Sequence, residues 1–401
     1  MVEWQKSSLG KIIDVKHGFA FKGVFFQTQP NGVILSTPGN FKIGGGWKED
    51  KCKYFNGEIP GDFKFVGGEL VVTMTDLSKE SDTLGYPALI PINSDNIYLH
   101  NQRIGLVSII SDLADKKFLY WLMCDNQYRF HIVSSASGST VSHTSPTRIK
   151  EYEFYLPPLP EQKAIASVLS SLDDKIDLLH RQNKTLETMA ETLFRQWFVE
   201  EAQDEKINYA ILGDLVSVID NRGKTPPYQD IPTDYPLIEV NVLTGEDILI
   251  NYSEIRKYVT EDVHSSWFRG YLKKFDILLS TVGSIGECAM YLAQIGNIAQ
   301  NVIGLSPVNI SPTYLYYYLK FVRHLIQQLD IGAVQPSIKV PHLLSLEVPV
   351  PKTENLEKFD GITKSFLRKI EGNQGQIQKL EQLRNTLLPK LMSGEVRVNY
   401  G

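Results

Sequence analysis

One fold-sized segment occurs twice in this chain, and that constrains its architecture more than any other feature. Lys184–Phe198 (KTLETMAETLFRQWF) aligns with Gln378–Met392 (QKLEQLRNTLLPKLM). Leu186, Glu187, Thr192 and Leu193 meet Leu380, Glu381, Thr386 and Leu387 without a gap, an offset of 194 residues. The same offset carries Gly138 to Gly332, Glu153 to Glu347, Pro157 to Pro351 and Ile176 to Ile370. Upstream it drifts: Phe118-Leu-Tyr-Trp resembles Tyr314-Leu-Tyr-Tyr, Ile104-Gly-Leu resembles Ile303-Gly-Leu, and Leu9-Gly10 resembles Leu212-Gly213. Chance similarity between two amphipathic helices would not hold one offset from Gly138 to Leu193. Small drifts are what loop insertions produce between two copies of one fold.

Each copy has two parts. The first mixes strand-like runs, such as Glu69-Leu-Val-Val-Thr-Met-Thr, with Gly- and Pro-containing turns. A helix is predicted near Asp115–Phe130, and its counterpart starts at Ser311-Pro312, an N-cap and N1 pair. The second part is one long helix. In copy one Leu156-Pro-Pro-Leu-Pro-Glu-Gln leads into it, and neither Gly nor Pro follows Pro160 until beyond Val199. Roughly 40 residues at 1.5 Å each make a rod of about 60 Å.

Both helices carry a heptad seam. Leu172, Ile176, Leu179, Asn183, Leu186, Ala190, Leu193 and Trp197 alternate steps of four and three. Phe366, Ile370, Asn373, Ile377, Leu380, Arg384, Leu387 and Leu391 do the same. This is a two-stranded coiled-coil pattern, against the alternative of a helix lying on a globular core. If the helices pair antiparallel with Asn183 facing Asn373, Leu179 meets Ile377, Ile176 meets Leu380, Leu186 meets Ile370, and Trp197 comes near Phe359. A buried Asn pair fixes register at some cost in stability.

Composition narrows the function classes. The 401 residues carry 41 Lys and Arg against 46 Asp and Glu, a net charge of −5. That excludes a globally basic nucleic-acid binder but leaves room for a local basic groove. Three scattered cysteines, Cys52, Cys124 and Cys288, form no CxxC, so no disulfide framework or Cys-based zinc site is expected, and a reducing cytoplasm fits. The opening MVEWQKSSLG has no apolar h-region, and no apolar run is long enough to span a bilayer; neither signal peptide nor membrane partner is expected.

Two related domains on a rod suit the reading of two sites at a fixed distance. The chain resembles, over its whole length, the specificity subunits of type I restriction–modification systems. The resemblance rests on Leu9-Gly-Lys-Ile-Ile with Gly18-Phe-Ala-Phe-Lys22, on Gly138-Ser-Thr with Thr147-Arg-Ile-Lys150, and on Leu156–Gln162. Leu212-Gly-Asp, Arg222-Gly-Lys-Thr-Pro-Pro-Tyr228, Met392-Ser-Gly-Glu-Val396 and the duplication complete it. It implies an α+β fold with pseudo-twofold symmetry: two duplicated mixed α/β target-recognition domains separated by two long helices in an antiparallel coiled coil. The expected segments are a first recognition domain at 1–157, a helix and linker at 158–205, a second recognition domain at 206–351, and a C-terminal helix and tail at 352–401. It further implies double-stranded DNA, two DNA methyltransferase subunits and restriction/translocase subunits as partners. S-adenosylmethionine, ATP and Mg are then expected in those partners, with no cofactor in this chain. Two unequal copies on one chain would read a split, asymmetric site, whereas an identical homodimer reads a palindrome. The acidic helix face at Asp173, Asp174 and Asp177 is either a solvated surface or a docking face for a partner.

Phosphate contacts call for Lys, Arg, hydroxyls and free backbone N–H, and base reading for Arg, Lys, Asn and Gln. Three loop sets qualify. The first is Lys16, His17, Phe19 and Lys22, where Phe19 and Phe21 are alternatively core. The second is Asn221, Arg222, Lys224 and Thr225. The third is Ser139, Thr140, Ser142 and Arg148, matched by Gln335, Ser337 and Lys339, with plain turn chemistry as the alternative. Lys42, Lys48, Lys51 and Lys53 are interrupted by Glu49 and Asp50 and read as a solvated loop.

Catalytic signatures are thin. Thr225-Pro-Pro-Tyr228 imitates the (Asp/Asn)-Pro-Pro-Tyr loop of amino-methyltransferases, but Thr replaces the acid or amide that would hold the target amino group. No GxGxxG follows a strand, no GxxxxGK[ST] occurs, and the histidines show no ligand spacing. A non-catalytic subunit is expected. The competing reading is a coiled-coil scaffold whose two β-rich modules bind proteins or glycans.

Overall fold

The computed structural model describes residues 3–399 except 51, 79, 93–94, 139–140, 202–207, 244–246, 294 and 333. Packing divides the chain into two compact units, residues 1–176 with 378–401 and residues 177–377. The division therefore runs through the middle of both long helices, so each unit owns half of each. The two helices span Leu159–Arg195 and Thr353–Ser393.

In the first unit, strand Gln5–Ser8 pairs antiparallel with Glu153–Leu156, just before the central helix begins. A four-stranded antiparallel sheet follows in the order Ile13–His17, Ile104–Ile109, Leu70–Thr73, Pro87–Leu89. A second sheet runs Phe26–Gln27, Lys53–Phe55, Val33–Ser36, Ile97–His100, its last pair parallel. The first sheet buries Ile13, Leu70 and Val72 against Phe118, Leu122 and Tyr128 of the following helices, and against Ile165, Leu169, Leu391 and Met392 of the long ones. The segment expected to form one helix near Asp115–Phe130 forms two, Lys116–Cys124 and Asn126–Ser134. Asp125 is the reason: its backbone is extended (ψ 146°) and its carboxylate caps the Gln127 N–H, starting a new helix.

The second unit repeats this plan. Asn208–Ile211 pairs with Glu347–Val350. The four-stranded sheet runs Val216–Ile219, Val302–Pro307, Ile277–Ser280, Cys288–Met290. Ser311 caps the Tyr314 N–H and Pro312 opens the helix Pro312–Phe321, as the sequence predicts. The second sheet diverges: it has three strands, Lys257–Tyr258, Pro236–Ile238 and Asn297–Ile298, the last two parallel. The repeated sheets and helices supply the common frame, and the second sheets and loops differ.

The long helices are antiparallel. In the second unit Asn183 meets Asn373, and the Trp197 and Phe359 rings lie 6.4 Å apart. In the first, Arg384 donates to Asp173. Every expected seam residue is buried or half-buried, from Leu172, Ile176, Leu179, Leu186 and Leu193 to Phe366, Ile370, Ile377, Leu380 and Leu387. The opposition between coiled coil and helix-on-core is a false one, because other faces of the same helices enter the cores. Phe194, outside the seam, is buried among Tyr314, Tyr317, Phe321 and Phe359. Pro389 does not end the second helix, which continues to Ser393 and stops at Gly394 (φ +76°).

Candidate nucleic-acid interface

In the first unit three sequence-distant loops meet at one end of the four-stranded sheet. The backbone of Phe19 donates to His100 O (2.8 Å) and accepts from Gln102 N (3.0 Å). Only glycine fits at position 18, because a Cβ there would come within 2.3 Å of the carbonyl oxygens of His100 and Asn101. Met74 N donates to Arg103 O, and Thr144 N to Met74 O. Ser142–His143 then pairs with Thr75–Asp76. Ser81 Oγ donates to Ser142 Oγ (2.6 Å). Asp76 organises this corner by accepting from the N–H of Ser78 and from the N–H and hydroxyl of Thr83. Burial disfavours its charged form, but those hydrogen bonds outweigh burial and hold its pKa below the usual carboxylate range.

The second unit assembles the equivalent corner from different side chains. Arg222 grips Asp220 through Nε (2.9 Å) and Nη2 (2.7 Å), and this hydrogen bonding keeps the Asp220 carboxyl ionised below its ordinary pKa. Gln300 Nε2 donates to Thr225 Oγ1 at 2.6 Å. Val282 bridges Ser337, and Gly283 N donates to Pro336 O. Asp330 accepts from the N–H groups of Gly332 and Ser337, both at 2.8 Å, and these hold its pKa down. The turns at Gly138 and Gly332 are equally tight: a Cβ would sit 2.1 Å from Val141 O in one and 1.9 Å from Gln335 O in the other.

The residues expected to face DNA fall into three groups. Lys16, His17, Lys22, Arg148, Lys224, Thr225, Gln335 and Lys339 are exposed, with Ser142 and Ser337 half-buried beside them. Lys16 Nζ lies 5.3 Å from the Phe63 ring, and Arg148 is paired with Glu151. Phe19 is 40% exposed and packs on Phe21 and Phe63, whereas Phe21 belongs to the core. Asn221 is a correction. It is 1% exposed, and its carboxamide donates to Gly270 O and accepts from the N–H groups of Arg269 and Gly270. Its amide therefore staples the loop from inside instead of reaching outward. Ser139 and Thr140 lie outside the described residues, as does Lys51.

Sequence reasoning missed Gln102 and Arg103 in the first unit and Arg269 and Gln300 in the second, all exposed at these corners. A signal was present for Gln102, Arg103 and Gln300, whose turns immediately precede the repeated Ile-Gly-Leu, but none marks Arg269. Among the described residues no group of three or more His, Cys, Asp or Glu could hold a metal ion, and no helix is long and apolar enough to cross a membrane.

Comparison with known proteins gives a consistent pattern. The type I restriction modification DNA specificity domain matches residues 1–188 and again 205–382. The chain is 28% identical over 338 residues to the type I restriction enzyme MjaIX specificity subunit of Methanocaldococcus jannaschii, covering 79% of this chain and 76% of that protein. It is 24% identical to the type I restriction enzyme EcoBI specificity subunit of Escherichia coli, covering 99% and 87%. A crystal structure of a type I restriction–modification S subunit from M. genitalium superposes with a TM-score of 0.60 at 19% identity, over 98% of this chain and 96% of that one.

Proposed function

Since the chain belongs to the type I restriction modification DNA specificity family, we propose that its two units read the two halves of a split, asymmetric DNA site. One observation carries this reading. The same corner of the same sheet gathers exposed polar and cationic side chains twice in one chain, from a common frame but with different residues. A repeated frame gives two readers, and unequal surfaces give unequal half-sites.

The rest of the activity belongs to partners. Two methyltransferase subunits would modify adenines at the site, and restriction/translocase subunits would cut DNA that lacks the mark. S-adenosylmethionine, ATP and Mg enter with those partners, and the chain works in the cytoplasm without catalytic residues of its own. The exposed Lys16, Lys22, Lys224 and Lys339 suit phosphate contacts, which position a duplex without reading it.

The test is a salt titration of duplex binding by the chain with its methyltransferase subunits. Phosphate contacts require log K to fall linearly with log salt at a slope of about −0.9 per contact. A flat salt response, or no duplex binding, would return the scaffold reading.

A further inference from the structure

We infer that Arg103 reads a guanine in the half-site faced by the first unit; the inference rests on the DNA-reading function proposed above.

The turn carrying Arg103 is built as a rigid mount. Asn101 is buried, its Oδ1 accepts from Arg103 N (3.1 Å), and its carbonyl accepts from Ile104 N (3.0 Å). His100, buried beneath, binds Ile104 O through Nε2 at 2.9 Å. Phe19 and Met74 hold the turn from two further segments, and Gly18 packs directly against its carbonyls. Nearly every backbone group of the turn is used inside the fold. The side chains of Gln102 and Arg103 alone point away, both exposed, with no hydrogen bond or ion pair to any described residue. A long cation on a fixed base, with no carboxylate paired to it among the described residues, is preorganised for a ligand.

The other arginines of this corner are engaged, and its exposed lysines, Lys16 and Lys22, lack the guanidinium fork. Lys16 lies against Phe63, Arg148 is held by Glu151, and Arg129 points inward to Ser81 O. Arg103 is the arginine left for a base edge, and the guanidinium fork matches guanine O6 and N7 bidentately.

The second unit lacks this device. Its turn before Ile-Gly-Leu is Gln300-Asn301-Val302, and Val302 is fully buried in the sheet. Gln300 is bonded to Thr225, and Arg222 is locked on Asp220. The guanine contact therefore belongs to one half-site and has no counterpart from the matching turn.

The test uses the chain in complex with its methyltransferase subunits. Methylated sites are mapped for wild type, Arg103→Ala and Arg103→Lys, and binding is measured on duplexes with each guanine of the wild-type motif replaced singly. Both variants should lose discrimination at one guanine of one half-site, by about 5- to 150-fold, and keep the other half. Lys keeps the charge but not the fork, so its relaxation separates base reading from simple charge. A loss uniform over all duplexes, with the salt slope reduced by about one and restored by Lys, marks a phosphate contact and overturns the inference. Unchanged fidelity in both variants also overturns it while leaving the DNA-reading function intact. A wild-type complex that prefers no sequence removes that function and the inference together.

Discussion

Asn373 donates its carboxamide N–H to Asn183 Oδ1 at 2.8 Å in the seam of the paired helices, and both side chains are buried. The pair is asymmetric, because Asn373 Oδ1 has no partner among the described residues. Such a pair selects register more than it stabilises: every one-step slip would bury both amides against hydrocarbon.

Replacing only Asn183 with Leu strands the other amide. Asn183→Leu should destabilise the second unit by about 1–3 kcal/mol in chemical denaturation. Asn183→Leu with Asn373→Leu should recover that loss and exceed wild type. A single variant as stable as the double would contradict this. Cysteines at 183 and 373 should cross-link on oxidation.

The first unit carries a buried ion pair that ties its two ends together. Glu161, 1% exposed at the side chain in the first turn of the central helix, receives Nη2 of Arg397 at 2.6 Å and the Trp4 indole N–H at 3.1 Å. Arg397→Ala leaves an uncompensated carboxylate and should cost about 3–5 kcal/mol, read as a lower denaturation midpoint of the first unit. Breaking an exposed pair such as Lys6–Glu153 should leave that midpoint nearly unchanged, because solvent screens it.

Glu187 sets a pH dependence in the second unit. Burial raises its pKa to about 7, with Asp247 adding repulsion and the Ile248 N–H, Lys320 and Lys184 opposing. The folded state therefore holds a proton that the unfolded state releases near 4.5. Stability falls as pH rises from about 4.5 to about 7 and levels off above that. Glu187→Gln should flatten this slope and raise the melting temperature at pH 8, with little change at pH 4. An unaltered slope would show that other groups carry it.

Lys224 is exposed on the loop beside the Arg222–Asp220 pair. Lys224→Ala should weaken duplex binding about equally for all sequences and reduce the salt slope by about one. A change confined to one base position would make it a reader.

The heptad steps sufficed to place Asn183 opposite Asn373, because a coiled-coil seam is a local pattern with one geometric consequence. The capped start at Ser311-Pro312 was equally local. Asp125 was less legible: Asp-Asn-Gln reads as helix unless its backbone is known to be extended. Asn221 looked like a ligand-facing amide because nothing near it in sequence announces that Arg269 and Gly270 return to cover it. Arg103 was missed for the converse reason. Its exposure and freedom depend on where Phe19, Met74, Glu151 and Phe63 fold, and those are long-range facts. The frame is written in periodicity, whereas the reading surface is written in packing between segments far apart in the chain.

A genome-wide map of methylated adenines with this gene intact and deleted, in cells expressing its methyltransferase partner, tests whether the chain sets the methylated sequence. Loss of methylation at one split, asymmetric motif upon deletion is the predicted result, and it names both half-sites at once. An unchanged map would mean that the chain does not set the methylated sequence.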